Sequence, residues 1–372
     1  MSLQLNGDTG VQFNDASLQG AAASPYVLKN KLINGSMQID QRNAGAATAN
    51  TINGYTLDRW AVFQTTTGKL IAQQNQGSAS LPSGFYNYLG ATSQSAYTVS
   101  ASDKFLVAQA FEGYNMADLG WGTANAQTVT LSFRVYSSLT GTFGGAIQNY
   151  GATRSYPFTY TISSANTWTT ISVTIPGDTS STWTASSASS TTNAGWGYLF
   201  FGLGVGSTYS GTAGAWASAN YASATGATSV VGTNGATWYV TGVQLEIGTS
   251  ATPFERRLYG QELMNCQRYY ARLVSTSGNY AGFGAGYYYN ATTAAIYVKY
   301  PVTMRAAPTA SISNVRADSA SGTSATTLST VYYGSDAAYL NIAGGSSVPV
   351  SSGSVLIGNN NANAYVDFSA EL

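Results

Sequence analysis

The sequence predicts an all-β protein: a jelly-roll β-sandwich, a short connector helix and a second, smaller C-terminal β domain. Three observations carry this. The 372 residues include 41 Gly and 27 Tyr in a background crowded with Ser, Thr, Ala and Asn; Tyr and Thr favour strands, whereas Gly and Asn favour the turns between them. Strand-like runs recur with turn-rich spacers and no helical pattern between them, as an antiparallel sandwich requires. Only one segment, residues 259–273, carries helical spacing. The length exceeds the roughly 100 to 200 residues of a usual domain, so two domains are expected.

Taken in order, Leu3-Gln-Leu5 and Val11-Gln-Phe13 alternate on either side of Asn6-Gly-Asp-Thr-Gly10, the signature of a short hairpin. Two strands cannot close a core, so this hairpin needs a partner surface. Gly20-Ala-Ala-Ala-Ser-Pro25 reads as a linker, which makes 1–29 a hairpin with its linker. The sandwich runs from 30 to 258, with its clearest strands at 128–136, 156–162, 169–175, 199–205 and 237–245. In the first of these, Val129, Leu131, Phe133 and Val135 share a core face, and Thr130, Ser132, Arg134 and Tyr136 share a wet one. The connector helix, 259–273, places Leu263, Cys266, Tyr270 and Leu273 on one stripe. From 274 to 372 further strands are expected at 294–300, 309–315, 330–333, 354–357 and 364–368, with long exposed spacers at 319–327 and 358–363.

Two patches are distinctive. One is Leu32-Ile-Asn-Gly-Ser-Met-Gln-Ile-Asp-Gln-Arg42, followed by Tyr55-Thr-Leu-Asp-Arg-Trp60. The other is Val243-Gln-Leu-Glu-Ile-Gly-Thr-Ser-Ala-Thr-Pro-Phe-Glu-Arg-Arg257, running into Gly260-Gln-Glu-Leu-Met-Asn-Cys-Gln-Arg-Tyr-Tyr270. Together they resemble the opening and closing segments of a large family of bacteriophage tail-fibre and other virion structural proteins, whose domain is similar to carbohydrate-binding-module jelly rolls. The bracketed span covers nearly two thirds of the chain. Leu5 to Gln19 is similar to the leader by which phage fibres dock on the particle. The resemblance implies a homotrimeric or otherwise multimeric virion appendage, joined to other virion proteins through its N-terminal segment. It would be made in the host cytoplasm without a signal peptide and used for adhesion to host-surface polysaccharide or for structural decoration.

In a sandwich the first and last strands commonly lie side by side, so Ile33, Met37 and Ile39 are expected near Val243, Leu245 and Ile247. Asp58 beside Arg59 and Trp60, and Glu246 and Glu255 beside Arg256 and Arg257, then read as ion pairs that hold the closure, with Arg42 a further partner. These residues are expected to be structural.

Composition excludes several classes. Lys plus Arg and Asp plus Glu are 15 each, and charged residues make up 8% of the chain, against about 25% in ordinary soluble domains. No basic stripe or polybasic run exists for nucleic acid or an anionic membrane. The longest apolar stretch, 195–206, falls far short of the roughly 18 residues of a spanning helix. Histidine is absent, which removes Ser-His-Asp and Cys-His catalysis. The single cysteine, Cys266, permits neither an intrachain disulfide nor a multi-cysteine zinc site, and reads as a small buried hydrophobe. No metal site and no cofactor are expected.

A glycosidase needs paired carboxylates across the bond. The most site-like acids are Glu112 and Asp118, among Phe111, Tyr114 and Trp121, but they read equally as a loop bordering a strand. Aromatic platforms suit the composition better, because Trp and Tyr faces stack on sugars while Asn, Gln, Ser and Thr bond hydroxyls. Trp60, Trp168 and Trp238 read as packing residues. The loop-like aromatics are Trp183, Trp216 (with Tyr209 and Tyr221), Tyr287 and Tyr289; each reads as a ligand contact, a surface anchor or a subunit contact. The expected function is a non-enzymatic tail fibre or related appendage that binds host glycan. The alternative is a purely structural head, neck or tail decoration protein without a ligand of its own.

Overall fold

A computed structural model of the chain describes residues 4–6, 10–12, 18–19, 29–49, 54–180, 183, 194–275, 280–319, 324–345 and 348–372. The N-terminal hairpin is present as β1 (Gln4–Asn6) paired antiparallel with β2 (Gly10–Gln12), and β3 (Leu18–Gln19) adds a third strand against β2. The linker at 20–25 lies outside the described residues.

The sandwich strands follow in order. They are β4 (Thr48–Ala49), β5 (Gly54–Leu57), β6 (Trp60–Gln64), β7 (Leu70–Gln74), β8 (Leu89–Ser93) and β9 (Lys104–Glu112). Then come β10 (Val129–Ser137), β11 (Gly141–Asn149), β12 (Ser155–Ile162), β13 (Thr169–Ile175), β14 (Gly195–Val205), the short β15 (Ser210–Gly211) and β16 (Ser223–Ala224), and β17 (Thr237–Ile247). Two six-stranded sheets form, in the orders β13-β10-β17-β8-β7-β4 and β12-β11-β14-β9-β6-β5. The two orders run in step: strands close in sequence occupy corresponding positions of opposite sheets. This is how a folded ribbon rolls into a jelly roll.

Between the sheets lies an apolar core that includes Trp60, Phe105, Phe133, Phe143, Phe158, Phe201 and Trp238. Trp238 is fully buried and its indole donates to the Tyr160 hydroxyl at 2.9 Å; an aromatic with a polar edge can be buried when that edge is satisfied. Trp168 is half-buried, donating to the Ser80 carbonyl at 2.6 Å. On β10 the alternation holds for Val129, Leu131, Phe133 and Val135. Thr130 departs from the expected wet face: it is buried, and its hydroxyl donates to the Gly248 carbonyl at 2.8 Å.

The connector helix α1 spans Tyr259–Gln267 and is shorter than expected. Tyr270 and Leu273, placed on its stripe by spacing, belong to β18 (Tyr270–Val274), where Tyr270 faces Ser369 and Leu273 faces Val366 across the ladder. Strand pairing overrides the helical spacing there. Cys266 is free and fully buried at the helix end.

The C-terminal β domain has two sheets. A three-stranded one is formed by β18, β21 (Thr309–Ser313) and β27 (Tyr365–Ser369). A seven-stranded one contains β19 (Gly282–Asn290), β20 (Thr293–Lys299), β22 (Val315–Ser319), β23 (Ser324–Ala325), β24 (Thr327–Tyr333), β25 (Ala337–Ala343) and β26 (Gly353–Gly358). The single strand expected at 309–315 is broken at Asn314, whose φ of 52° takes it out of the β region and sends the chain from one sheet to the other. A second core, with Tyr288, Ile296, Leu340, Leu356, Val366 and Phe368, fills the space between them. Among the described residues no helix is long and apolar enough to cross a membrane, and no group of three or more Cys, Asp or Glu is placed to hold a metal.

Candidate functional site

The most site-like feature is a groove on the outer face of the β12-β11-β14-β9-β6-β5 sheet. Strand β14 carries aromatics on both faces: Leu199 and Phe201 enter the core, while Tyr198 and Phe200, on the alternate positions, face outward. Register sets Gln148 of β11 opposite Tyr198, and Phe63 of β6 opposite Leu106 of β9. The resulting trough has a volume of about 450 Å³ and is lined by Phe63, Leu106, Lys104, Gln148, Tyr150, Tyr198, Phe200 and Asn220, among others.

Its aromatic wall is ordered. Tyr150 stacks on Tyr198 at 5.3 Å between centroids and 15° between planes, and Tyr198 stacks on Phe200 at 5.3 Å and 13°. Gly195 permits this, since a Cβ there would lie 2.1 Å from the Tyr150 ring. Tyr150 is 41% exposed and Phe200 7%, so the ladder descends from the rim to the floor. Gln148 donates from Nε2 to the Asn220 side chain at 2.9 Å and to the Tyr221 carbonyl at 3.0 Å, which fixes the loop forming the far rim. Lys104 is the one charged residue in the lining, and its ammonium lies 4.4 Å from the centre of the Tyr209 ring. Burial raises the Tyr198 hydroxyl well above the ordinary phenol range, so it remains a proton donor.

The predicted aromatics are distributed differently. Trp183, expected as an exposed platform, is 1% exposed and belongs to the core. Its ring lies 4.3 Å from Trp196 and 5.0 Å from Trp121, and its indole donates to Asp178 at 2.6 Å. Trp216 is half-buried against the same cluster, 5.1 Å from Trp121, and donates to the Pro176 carbonyl at 2.9 Å. The physical reason for Trp183 is Asp178, which pairs with Arg154 through two bonds of 2.8 Å and anchors the Trp183 indole beneath it. Burial works against the Asp178 carboxylate, but the bonds from Arg154, Trp183 and Ser180 outweigh it and hold its pKa below the usual range. Tyr287 and Tyr289 are 50% and 43% exposed on the C-terminal sheet, remote in the fold from the groove lining.

The closure patches do meet. Lys31 N donates to the Leu245 carbonyl at 2.8 Å, and Val243 N to the Gly35 carbonyl at 2.9 Å. The Asn30 side chain accepts from Leu245 N and donates to the Val243 carbonyl. Asn34, with φ of 57°, bonds both polar groups of Ile39 and the Asp58 carbonyl through its side chain, and its own carbonyl accepts from Trp60. Glu255 accepts from Arg257 at 2.9 Å, and Arg257 also reaches Glu262 at 3.2 Å.

Several expected pairs differ. Asp58 does not pair with Arg59; it accepts from the backbone and side chain of Gln41, both at 2.7 Å. Glu246 accepts from Thr252 and Gln244, with Lys29 at 3.9 Å. Arg256 makes no described ion pair and lies over Phe85, 4.9 Å from its centre. Arg59 and Arg42 both bind Glu371, near the end of the chain, and their guanidiniums cover Tyr269 at 3.7 Å and Tyr270 at 3.5 Å. Arg268 bonds Glu112 at 3.0 Å and Arg272 bonds Asp367 at 2.7 Å. The Arg-Tyr-Tyr run at 268–270 thus joins the sandwich to the C-terminal sheet, with acids that lie far away in sequence.

Glu112 is 1% exposed and held by Arg268 and Tyr269, while Asp118 meets Lys31. Glu112 is therefore committed to a buried network, and Asp118, with its side chain 40% exposed, to a surface pair. The groove went unread because 195–206 registers as a uniformly apolar core strand; the readable signal was the alternation of Tyr198 and Phe200 with Leu199 and Phe201, whereas Trp196 turns inward at the register shift between Gly195 and Gly197.

No protein-family model and no curated protein matches the chain. Among solved structures it is similar to a putative sugar binding protein from Bacteroides thetaiotaomicron, at 11% identity and a TM-score of 0.34, covering 59% of this chain and 100% of that one. It is also similar to the enzymatically active domain of tailspike protein 4 of bacteriophage CBA120, at 12% identity and a TM-score of 0.30, over 62% of this chain and 22% of that one. A third is the xylan-binding domain from Paenibacillus barcinonensis, at 10% identity and a TM-score of 0.27, over 56% of this chain and 99% of that one.

Proposed function

We propose that this chain is a non-enzymatic carbohydrate-binding protein of a phage particle, a tail fibre or related appendage that holds host-surface glycan in the groove. The observation that carries the reading is the near-parallel ladder Tyr150–Tyr198–Phe200. The ladder closes both faces of Tyr198 and leaves the rim ring, Tyr150, half exposed to take a sugar ring, with Gln148 and Asn220 beside it for hydroxyls. Among the described residues no carboxylate lines the groove, which supports binding without cleavage, since glycoside hydrolysis uses a pair.

The virion assignment is supported by the two patches at 32–60 and 243–270 that resemble phage fibre proteins. In this reading several copies, three in a homotrimer, are anchored to other virion proteins through the N-terminal strands. Weak sites then add up, because the second and third contacts are intramolecular.

The test is retention of the labelled full chain on intact host cells and on their extracted envelope polysaccharides, with polymer length recorded. Saturable binding at unchanged length is expected, weakened up to about tenfold by Tyr198→Ala, which removes the ring against which Tyr150 is stacked. Shortened polymer would overturn the non-enzymatic reading. Absence of binding to every surface the parent particle adsorbs to would leave the purely structural decoration protein as the better account.

A further inference from the structure

The seven-stranded C-terminal sheet has one face on its core and the other open. On the open face a single rung crosses six strands: Tyr332, Tyr339, Tyr297, Ala285, Val355 and Asp318 stand directly opposite one another in turn. The three tyrosines are 65%, 49% and 45% exposed, and the Tyr297 and Tyr339 rings lie 5.4 Å apart with their planes inclined at 60°, a twisted rather than a flat platform. With strands about 4.8 Å apart, the three rings form a straight row about 10 Å long. Tyr287, two residues beyond Ala285 on the same face of β19, extends it diagonally.

The ground around the row is low and sparsely charged. On the same face the rung is flanked by Asn341, Ala295, Tyr287 and Gly353 on one side and by Ala337 and Lys299 on the other, so a small residue lies beside both Tyr339 and Tyr297. Two charges belong to this face: the exposed Lys299, two residues along β20 from Tyr297, and Asp318 at the end of the rung, which pairs with Arg316 at 2.9 Å. Val355 is the one large aliphatic exposed on the rung. Val355 alone gives this rung little of the apolar core that a dry contact between copies needs; a row of hydroxyl-bearing rings on a low, alanine-containing floor matches a chain that is apolar on its ring faces and hydroxylated at its edges.

We propose that this tyrosine row is a second binding surface, separate from the groove, which takes an extended neutral polysaccharide by stacking successive sugar rings on Tyr332, Tyr339 and Tyr297. It does not depend on the groove: either surface can operate while the other is removed.

The experiment is native electrophoresis of the full chain through gels containing, in turn, arabinoxylan, mixed-linkage β-glucan, galactan, galactomannan and dextran. Three proteins are compared: wild type, Tyr297→Ala/Tyr339→Ala, and Tyr198→Ala as the groove variant. Sedimentation and thermal unfolding of each are measured alongside. The expected result is retardation of wild type by at least one of these polymers, weakened about tenfold or more in the double variant and retained in Tyr198→Ala, with unchanged sedimentation. Because the substituted rings are exposed, unfolding temperatures should match. The proposal is overturned if no polymer retards the wild type, if retardation is lost only in Tyr198→Ala, or if the double variant changes only the oligomeric state. The last result would make the face a contact between copies. Tyr297→Phe/Tyr339→Phe separates stacking from bulk: it should keep most of the retardation, since the ring faces remain.

Discussion

Asp58 is a carboxylate with no exposure whose partners are amides rather than a cation. Burial raises its pKa to about 7, although the Gln41 bonds and the Arg42 charge pull the other way. The folded state therefore holds a proton that the unfolded chain, at its ordinary carboxylate value, has released. Between about pH 4 and 7 stability falls as pH rises, by up to about 1.4 kcal/mol per pH unit. Wild type is accordingly expected to gain stability relative to Asp58→Asn as pH is lowered from about 8 to 5, measured by denaturant unfolding; a flat difference would show that Asp58 does not titrate there. Glu371 serves the opposite case. It neutralises Arg59, which is 1% exposed, so Glu371→Ala leaves a buried charge uncompensated and should cost about 3–5 kcal/mol of unfolding free energy. A loss under about 1 kcal/mol, as for a surface pair, would contradict this.

At the scale of elements, the opening and closing segments touch where Gly35 passes β17. A Cβ on Gly35 would lie 2.2 Å from the Val243 carbonyl oxygen, a backbone atom that cannot swing away. Gly35→Ala should therefore destabilise the sandwich by about 1–3 kcal/mol, as overpacking does, read as a lower unfolding midpoint; an unchanged midpoint would mean that the two segments are not in register. Strands such as β10 were legible because one face packs on a core and the other does not, so the alternation reaches the sequence. The end of α1 was not, because Tyr270 and Leu273 fit a helical stripe and a ladder equally well, and β27, which decides between them, lies about a hundred residues later. The same holds for charges: Arg42 and Arg59 are visibly destined for a carboxylate, but nothing local points to Glu371 rather than Asp58. Trp183 misled because a turn-rich neighbourhood implies exposure, whereas Asp178, held by Arg154, gives its indole a buried seat and Trp216 packs half-buried against the same cluster.

For the whole molecule, the sandwich and the C-terminal domain are tied by Glu112, Asp367 and Glu371 through Arg268, Arg272, Arg42 and Arg59. The groove lies on the sandwich and the tyrosine row on the C-terminal sheet. Composition alone announced an uncharged, aromatic, β-rich surface; only the fold decides which rings reach it. The most direct measurement is hydrogen exchange of the full chain with and without saturating host envelope polysaccharide. Added protection is expected in the rim segments around Tyr150 and Asn220, which border the Tyr150–Tyr198–Phe200 ladder, and should be absent from Tyr198→Ala. Exchange unchanged at both rims while polysaccharide is bound would contradict the groove as the binding site.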